Sequence, residues 1–295
     1  MTDTATSPSR SLKDAPRADD GYYGPDSVSW KVFADPGSAL GAVASVLLQM
    51  LDAGMLTHFE RVSVTNEGPE EGAARFQRTS AYLRSSVFAD KAHADAAAAH
   101  VNMLHKRAVW TDPATGESTD AQVPEWQRWT WYTYIWGALH GYLEYGLEPL
   151  APDEQDRFVA ESEIGARLLE VPGPYLATRA ELDAYIAEEL PSKSLTLFAA
   201  KAAHALRHPE AKGIVGKAIA QRIIDGILYL LPEDALWLLG VEGRTHRELE
   251  KGRDATRRLV AASRKKKDAE QLIADTIGEA DLNPYQKVRV TPATA

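Results

Sequence analysis

The sequence predicts an all-α protein that forms a single globular domain of about ten helices. Apolar residues recur at helical spacing along most of the chain, and no segment alternates polar and apolar residues in the manner of a half-buried strand. Helix-start signals precede several of these segments; Thr178, for example, is followed three residues later by Glu181, the pattern of a capping box. A chain of 295 residues is large enough to enclose a sizeable cofactor.

The two ends of the chain are predicted to lie outside this domain. Residues 1–20 are rich in Ser, Thr, Asp, Arg and Ala, and they lack the apolar content that offsets the entropy of ordering. They also lack the apolar segment of a signal peptide. We therefore predict a disordered tail at 1–20, a helical domain at 21–280 and a C-terminal tail at 281–295.

The helices follow one another from about residue 35 onwards. Asp35 and Pro36 predict a helix entry, and the nearly all-apolar segment 39–55 predicts a helix that is buried in the core. A glycine- and proline-containing loop follows at 66–72. The later predicted helices cover 75–88, 91–109, 124–145, a segment from Pro152, 179–189, 193–206, 211–230, a short helix after Leu231, and the charged amphipathic region 244–277.

Composition excludes several classes of function. The net charge of −9 argues against a nucleic-acid partner, because binding of phosphates needs clustered Lys and Arg. The absence of cysteine excludes disulfides, Cys-bound zinc, iron–sulfur clusters and thiolate-ligated haem. The chain contains no uncharged apolar stretch of about 20 residues, so we expect no membrane span. These observations favour a soluble, cytoplasmic protein.

The eight histidines are the remaining candidates for metal ligands together with the carboxylates. His204 and His208 stand four residues apart before a proline, and this position favours a helix C-terminal cap over a ligand pair. His93, His100 and His105 share one predicted helix, on which His105 points away from the other two. Spacing therefore allows His105 to act only as a lone ligand, and an ordinary helical histidine stays open as the alternative.

Arg75, Arg78 and Thr79 share one face of a predicted helix, since they stand three and four residues apart. Two cations and a hydroxyl in this arrangement can hold the carboxylates of a cofactor or stabilise a bound oxygen species. A solvated basic face explains the same spacing.

Two further stretches also allow two interpretations. The helix predicted at 124–145 carries aromatic residues throughout, and these line a pocket or pack in the core. The basic run 264–267 forms either a binding patch or the solvated end of a helix, and its shortness favours the solvated end.

Several stretches occur in an order that is specific as a series. They are Gly21-Tyr-Tyr-Gly-Pro-Asp, Arg75-Phe-Gln-Arg-Thr, Val101-Asn-Met-Leu-His105, Trp129 with Thr133, Glu144-Tyr-Gly-Leu-Glu-Pro-Leu150, and Thr178-Arg-Ala-Glu181. Over roughly residues 21–240 this series resembles the DUF2236 family, the group of the oxygenase MpaB and of latex-clearing protein, a rubber oxygenase.

The resemblance implies an all-helical fold that encloses a haem b pocket. By the family's motifs His105 is the proximal iron ligand, and Arg75, Arg78 and Thr79 lie on the distal side of the haem. Thr133 matches a threonine of the family's site and is expected to contact the cofactor. Characterised members cleave carbon–carbon double bonds of isoprenoid chains with dioxygen.

Some members of the family use a distal carboxylate as a base, for which Glu60 is the nearest candidate here. The chain departs from the family pattern at Asn102, at Trp131 and at Val109 with Trp110, and these changes are expected to reshape the substrate pocket or to weaken haem binding.

The resemblance thus implies a haem-b-dependent oxygenase that acts with dioxygen on a small apolar metabolite, isoprenoid-like or otherwise unsaturated, by oxidative C=C cleavage. Arg78 and Thr79 are expected to orient oxygen and Arg75 to anchor the cofactor. The alternatives are a peroxide-using or desaturating haem enzyme, and a non-catalytic haem-binding or degenerate family member.

Overall fold

The computed structural model describes residues 15–62, 69–208, 211, 213–241, 244–279 and 282. These residues form thirteen α-helices, a 3₁₀ turn at Leu190–Ser192, and an antiparallel pair of short strands, β1 (Trp110–Thr111) and β2 (Ser118–Thr119). The helices are α1 (Val28–Ala34), α2 (Pro36–Gln49), α3 (Ala53–Val62), α4 (Pro69–Phe88), α5 (Lys91–Arg107), α6 (Pro124–Tyr145), α7 (Pro152–Leu168), α8 (Arg179–Glu189), α9 (Leu197–Arg207), α10 (Gly213–Tyr229), α11 (Glu233–Leu238), α12 (His246–Ser263) and α13 (Ala269–Glu279). The predicted all-α class is confirmed.

The prediction of one helix over 39–55 was wrong, because the chain breaks between α2 and α3. Asp52 causes the break: its Oδ1 accepts a hydrogen bond from the backbone N–H of Met55 at 2.9 Å, and its Oδ2 accepts from Lys193 Nζ at 3.1 Å. An aspartate that binds a backbone N–H three residues ahead starts a new helix instead of continuing the old one. The apolar composition of the segment concealed this start signal.

The centre of the core is the crossing of α2 and α6, which depends on glycines spaced by four residues. Gly37 and Gly41 of α2 face Gly137 and Gly141 of α6, so the two backbones are in direct contact. A Cβ atom at Gly41 would overlap the carbonyl oxygen of Gly137, and one at Gly141 would lie 2.7 Å from the carbonyl oxygen of Gly37. Small residues at this spacing allow two helices to approach closely. Nothing in the sequence pattern had indicated a role for these glycines.

We expect Gly41→Ala to lower the free energy of unfolding by about 3 kcal/mol, because the new methyl group must separate two packed helices. Gly216→Ala on α10 is the matched control, since its added Cβ would approach only the Ala211 side chain, at 3.9 Å. The control is expected to be neutral or to stabilise the protein by up to about 1 kcal/mol through helix propensity. Urea unfolding followed by circular dichroism measures both, and equal effects would contradict the close crossing.

The aromatic residues of α6 pack in the core, which decides between the two interpretations of this helix. Trp129 is 0% exposed, Trp131 6% and Trp136 5%, and all three belong to the main apolar cluster. Core packing therefore explains this aromatic stretch. The first turns of the helix, around Trp126, are partly exposed, as are Tyr134 and His140 further along.

Helices α4 and α5 form an antiparallel hairpin joined through Ala89 and Asp90. Asp90 caps α5, with its Oδ1 accepting from the backbone N–H of His93 at 2.9 Å. Tyr82 packs against Ala97 and Ala98, the small residues that let the two helices approach. The same antiparallel register brings the start of α4 level with the end of α5.

Within the described residues, no single helix is long and apolar enough to cross a membrane. Helices α1 and α2 pass that test only when taken as a pair, and they meet at an angle of 82°.

Candidate functional site

His105 lies in the last turn of α5, with a ring nitrogen that has no partner. Its Nδ1 is buried, and it neither accepts nor donates a hydrogen bond among the described residues. Burial lowers the pKa of His105, and the positive charge of Arg75 lowers it further, while Asp120 opposes the shift. The imidazole is therefore held in its neutral form at neutral pH, and this is the form that ligates a metal ion.

Arg75 lies close enough to His105 to influence its charge, as the register of the α4–α5 hairpin requires. Its guanidinium carbon stands 4.3 Å from the centre of the Phe59 ring on α3. The residue as a whole is exposed, yet burial of its guanidinium lowers its pKa, with the charge of Arg78 as a second cause. Arg75 remains cationic because an arginine pKa lies far above neutral pH.

Arg78 and Thr79 are exposed on α4 next to Arg75. The charges of the two arginines interact, and their shared face with Thr79 stays a prediction. Glu60, the candidate carboxylate, is an exposed residue of α3, the helix that supplies Phe59. The structure thus places Arg75 close to His105, and Arg78 follows Arg75 on the same helix at a distance where the two charges interact.

Thr133 occupies a different environment. It is 0% exposed, its hydroxyl donates to the Trp129 carbonyl at 2.6 Å, and it accepts from Gln49 Nε2 at 3.3 Å. The hydroxyl is thus engaged in the contact between α2 and α6. The structure does not place Thr133 on the exposed face that carries Arg75 and Arg78.

Helix α3 forms one wall beside His105, and the sequence analysis missed it. His58 Nε2 bonds to the Ala108 carbonyl at 2.8 Å, and the His58 ring lies 5.3 Å from that of Trp126. Arg61 stacks on Trp110, with its guanidinium carbon 3.8 Å from the ring centre. These contacts tie α3 to the segment that follows His105. The missed break at Asp52 is the reason that α3 was not predicted.

The surface around His105 and Arg75 exposes several apolar side chains. Phe76 is 57% exposed, Leu104 46% and Val109 48%. Exposed apolar side chains of this size are available for contact with an apolar molecule. A neutral imidazole, the nearby cation of Arg75 and exposed apolar side chains are the kinds of group that a haem with its two carboxylates would use. Within the described part of the chain, no group of three or more His, Cys, Asp or Glu forms a metal cluster.

The departures from the family pattern at Asn102 and Trp131 serve packing against α7. Asn102 is 6% exposed, and its Nδ2 donates to the Leu168 carbonyl at 2.9 Å. Trp131 lies against Gly165, where a Cβ atom would overlap its ring. The two substitutions therefore position α5 and α6 on α7, and neither side chain joins the face that carries Arg75.

The chain matches a family model described as "ER-bound oxygenase mpaB/B'/Rubber oxygenase, catalytic domain", over residues 30–265. No match to the chain was found among curated proteins or among solved structures. The matched range runs from α1 through α12 and includes Arg75, Arg78, His105 and Thr133. The match confirms the resemblance that the sequence motifs indicated, and the chain belongs to the mpaB/rubber oxygenase catalytic-domain family.

Proposed function

We propose that this oxygenase-family protein is a haem-b-dependent enzyme that uses dioxygen to cleave a C=C bond of a small apolar, unsaturated metabolite. Family membership supports an oxidoreductase of the oxygenase type. The observation that carries the haem assignment is His105, whose buried Nδ1 lacks a partner and whose pKa is lowered. A histidine with these properties is prepared to bind iron and poorly suited to the surface of an unliganded protein.

His105 would hold the iron through its imidazole, and Arg75 would pair with a haem carboxylate. Haem, when bound, supplies the iron that activates dioxygen. Arg78 and Thr79 offer N–H and O–H donors to negative charge that develops on the oxygen substrate. Thr133 as a haem contact stays a prediction, because its hydroxyl is engaged between α2 and α6.

The apolar lining supports the choice of substrate class. Phe76, Leu104 and Val109 are exposed and lie within four residues of Arg75 or His105 in the sequence, and such side chains favour an uncharged, unsaturated hydrocarbon chain over a polar one. Glu60, an exposed side chain on α3, is the carboxylate that the family resemblance offers for a proton transfer.

The test is a titration of the purified full-length chain with haemin, followed by oxygen-uptake measurements with a reductant and a short isoprenoid alkene. We expect a Soret band that saturates at one haem per chain and carbonyl products formed only in the presence of dioxygen. Turnover with peroxide alone, or a desaturated product, would replace the proposed reaction with another haem reaction. Failure to take up haem would overturn the proposal itself.

A further inference from the structure

The N-terminal half of α10 projects from the protein body. In its C-terminal half Asp225 and Gly226 are buried against Gly252 and Thr256 of α12. In its first two turns the side chains are exposed on nearly every side of the helix. We call this segment, residues 213–219, the α10 tip.

The α10 tip exposes three branched aliphatic side chains on one side of the helix. Ile214 is 89% exposed, Val215 73% and Ile219 45%. These three residues and Ala218 lie within less than half of the helix circumference. Isolated exposed apolar residues are common, but a continuous strip of branched aliphatic residues at a projecting helix end is typical of an interaction surface.

The charge around the tip is opposite to that of the whole chain. Residues 197–224 contain five Lys or Arg and one acidic residue, a net charge of +4, whereas the whole chain carries −9. Lys217 is exposed within the tip itself, and Lys201 is exposed on the preceding helix α9. A basic segment on an acidic protein directs that segment towards an anionic surface and turns the rest of the protein away from it.

We propose that the α10 tip docks the protein on the surface of an anionic lipid bilayer. Aliphatic side chains at a convex helix end can insert into the fluid boundary between headgroups and acyl chains, and nearby lysines can pair with lipid phosphates. A protein partner would instead need a groove shaped to receive the tip and an acidic rim around it. The proposal is independent of haem, because it rests on α10 and on the local charge alone.

The test uses the full-length chain and sedimentation with vesicles of phosphatidylcholine, with or without about 30 mol% phosphatidylglycerol. We expect binding to the anionic vesicles that weakens as salt is raised, because salt screens the attraction. The variant Ile214→Ser with Val215→Ser should bind these vesicles at least about tenfold more weakly, since two inserted aliphatic side chains are lost. Both positions are exposed, so folding should be unaffected.

Leu147→Ser is the matched control, because Leu147 is an exposed apolar residue outside the tip, at 37%. It should bind vesicles as the unaltered chain does, and Lys217→Glu should reduce binding to anionic vesicles only. Equal vesicle binding by the double variant and the unaltered chain would overturn the proposal. A dimer of the unaltered chain that the double variant loses, measured by light scattering, would assign the tip to a second copy. Loss of haem uptake with unchanged vesicle binding would assign it to the cofactor site.

Discussion

His105→Ala is expected to lower the affinity for haem by about 100-fold or more, because it removes the proposed iron ligand. The Soret band of the haemin-titrated protein should be lost or moved to that of free haemin. The substitution removes a ring that has no hydrogen-bond partner at Nδ1, so the free energy of unfolding should change little. Haem titration and urea unfolding of the same samples separate loss of the ligand from loss of the fold.

His100→Ala is the control for this result. His100 lies on the same helix, and burial lowers its pKa as well, but no charge of Arg75 contributes to that shift, so it matches His105 in residue type and in burial effect. Its replacement should leave the Soret band unchanged. An unchanged band in His105→Ala, together with a lost band in His100→Ala, would show that His100 is the iron ligand in place of His105.

The lowered pKa of His105 gives the haem site a pH dependence with a definite sign. A ligand whose pKa lies below the ordinary histidine value of 6.5 stays neutral, and therefore competent to bind iron, at a more acidic pH than an exposed histidine does. Arg75 is one cause of this shift, so Arg75→Met should raise the pKa of His105 and move the acid loss of haem to a higher pH. Retention of haem measured from acidic to neutral pH reports this displacement directly.

The proximity of Arg75 and His105 follows from features that the sequence displays. Two long helices separated by only Ala89 and Asp90 must form a hairpin, and its register then sets Arg75 opposite the end of α5. The family motifs that contain Arg75 and His105 indicated the same two residues. Thr133 shows the limit of a motif. A sequence match does not show whether the hydroxyl of a helical residue faces a pocket or the backbone of its own helix. The hydroxyl of Thr133 bonds to the Trp129 carbonyl of its own helix.

The contacts that hold the fold together were less accessible from the sequence. Gly41 and Gly137 are nearly 100 residues apart in the sequence. The residues around either glycine do not indicate that the other glycine packs against it. The break at Asp52 depends partly on Lys193, which is distant in sequence and bonds to its carboxylate. Helical periodicity identifies which residues form helices, whereas these pairings depend on which helices meet.

Arg264 is the clearest such case, since the basic run 264–267 was predicted to be a solvated helix end. That prediction was wrong for its first member: Arg264 is 5% exposed, and its neighbours Lys265 and Lys266 are exposed. Its Nε and Nη2 donate to Asp35 at 3.0 and 2.7 Å, and Nη2 also donates to the Tyr145 carbonyl. One guanidinium therefore joins the end of α12 to the α1–α2 corner and to the end of α6.

Arg264→Ala is accordingly expected to lower the free energy of unfolding by about 3 to 5 kcal/mol, because it leaves the buried carboxylate of Asp35 without its counter-charge. Asp35 would keep two backbone donors, Gly37 at 2.7 Å and Leu147 at 3.1 Å, which limit the loss but do not neutralise the charge. Lys266→Ala removes the same charge from an exposed position and should change the stability by less than about 0.5 kcal/mol. In a double-mutant cycle, Arg264→Ala should cost much less when Asp35 is already Asn, because the uncompensated charge is then absent. Equal costs in both backgrounds, measured by urea unfolding, would mean that Arg264 stabilises the fold through its packing and its bond to Tyr145, and not through the ion pair.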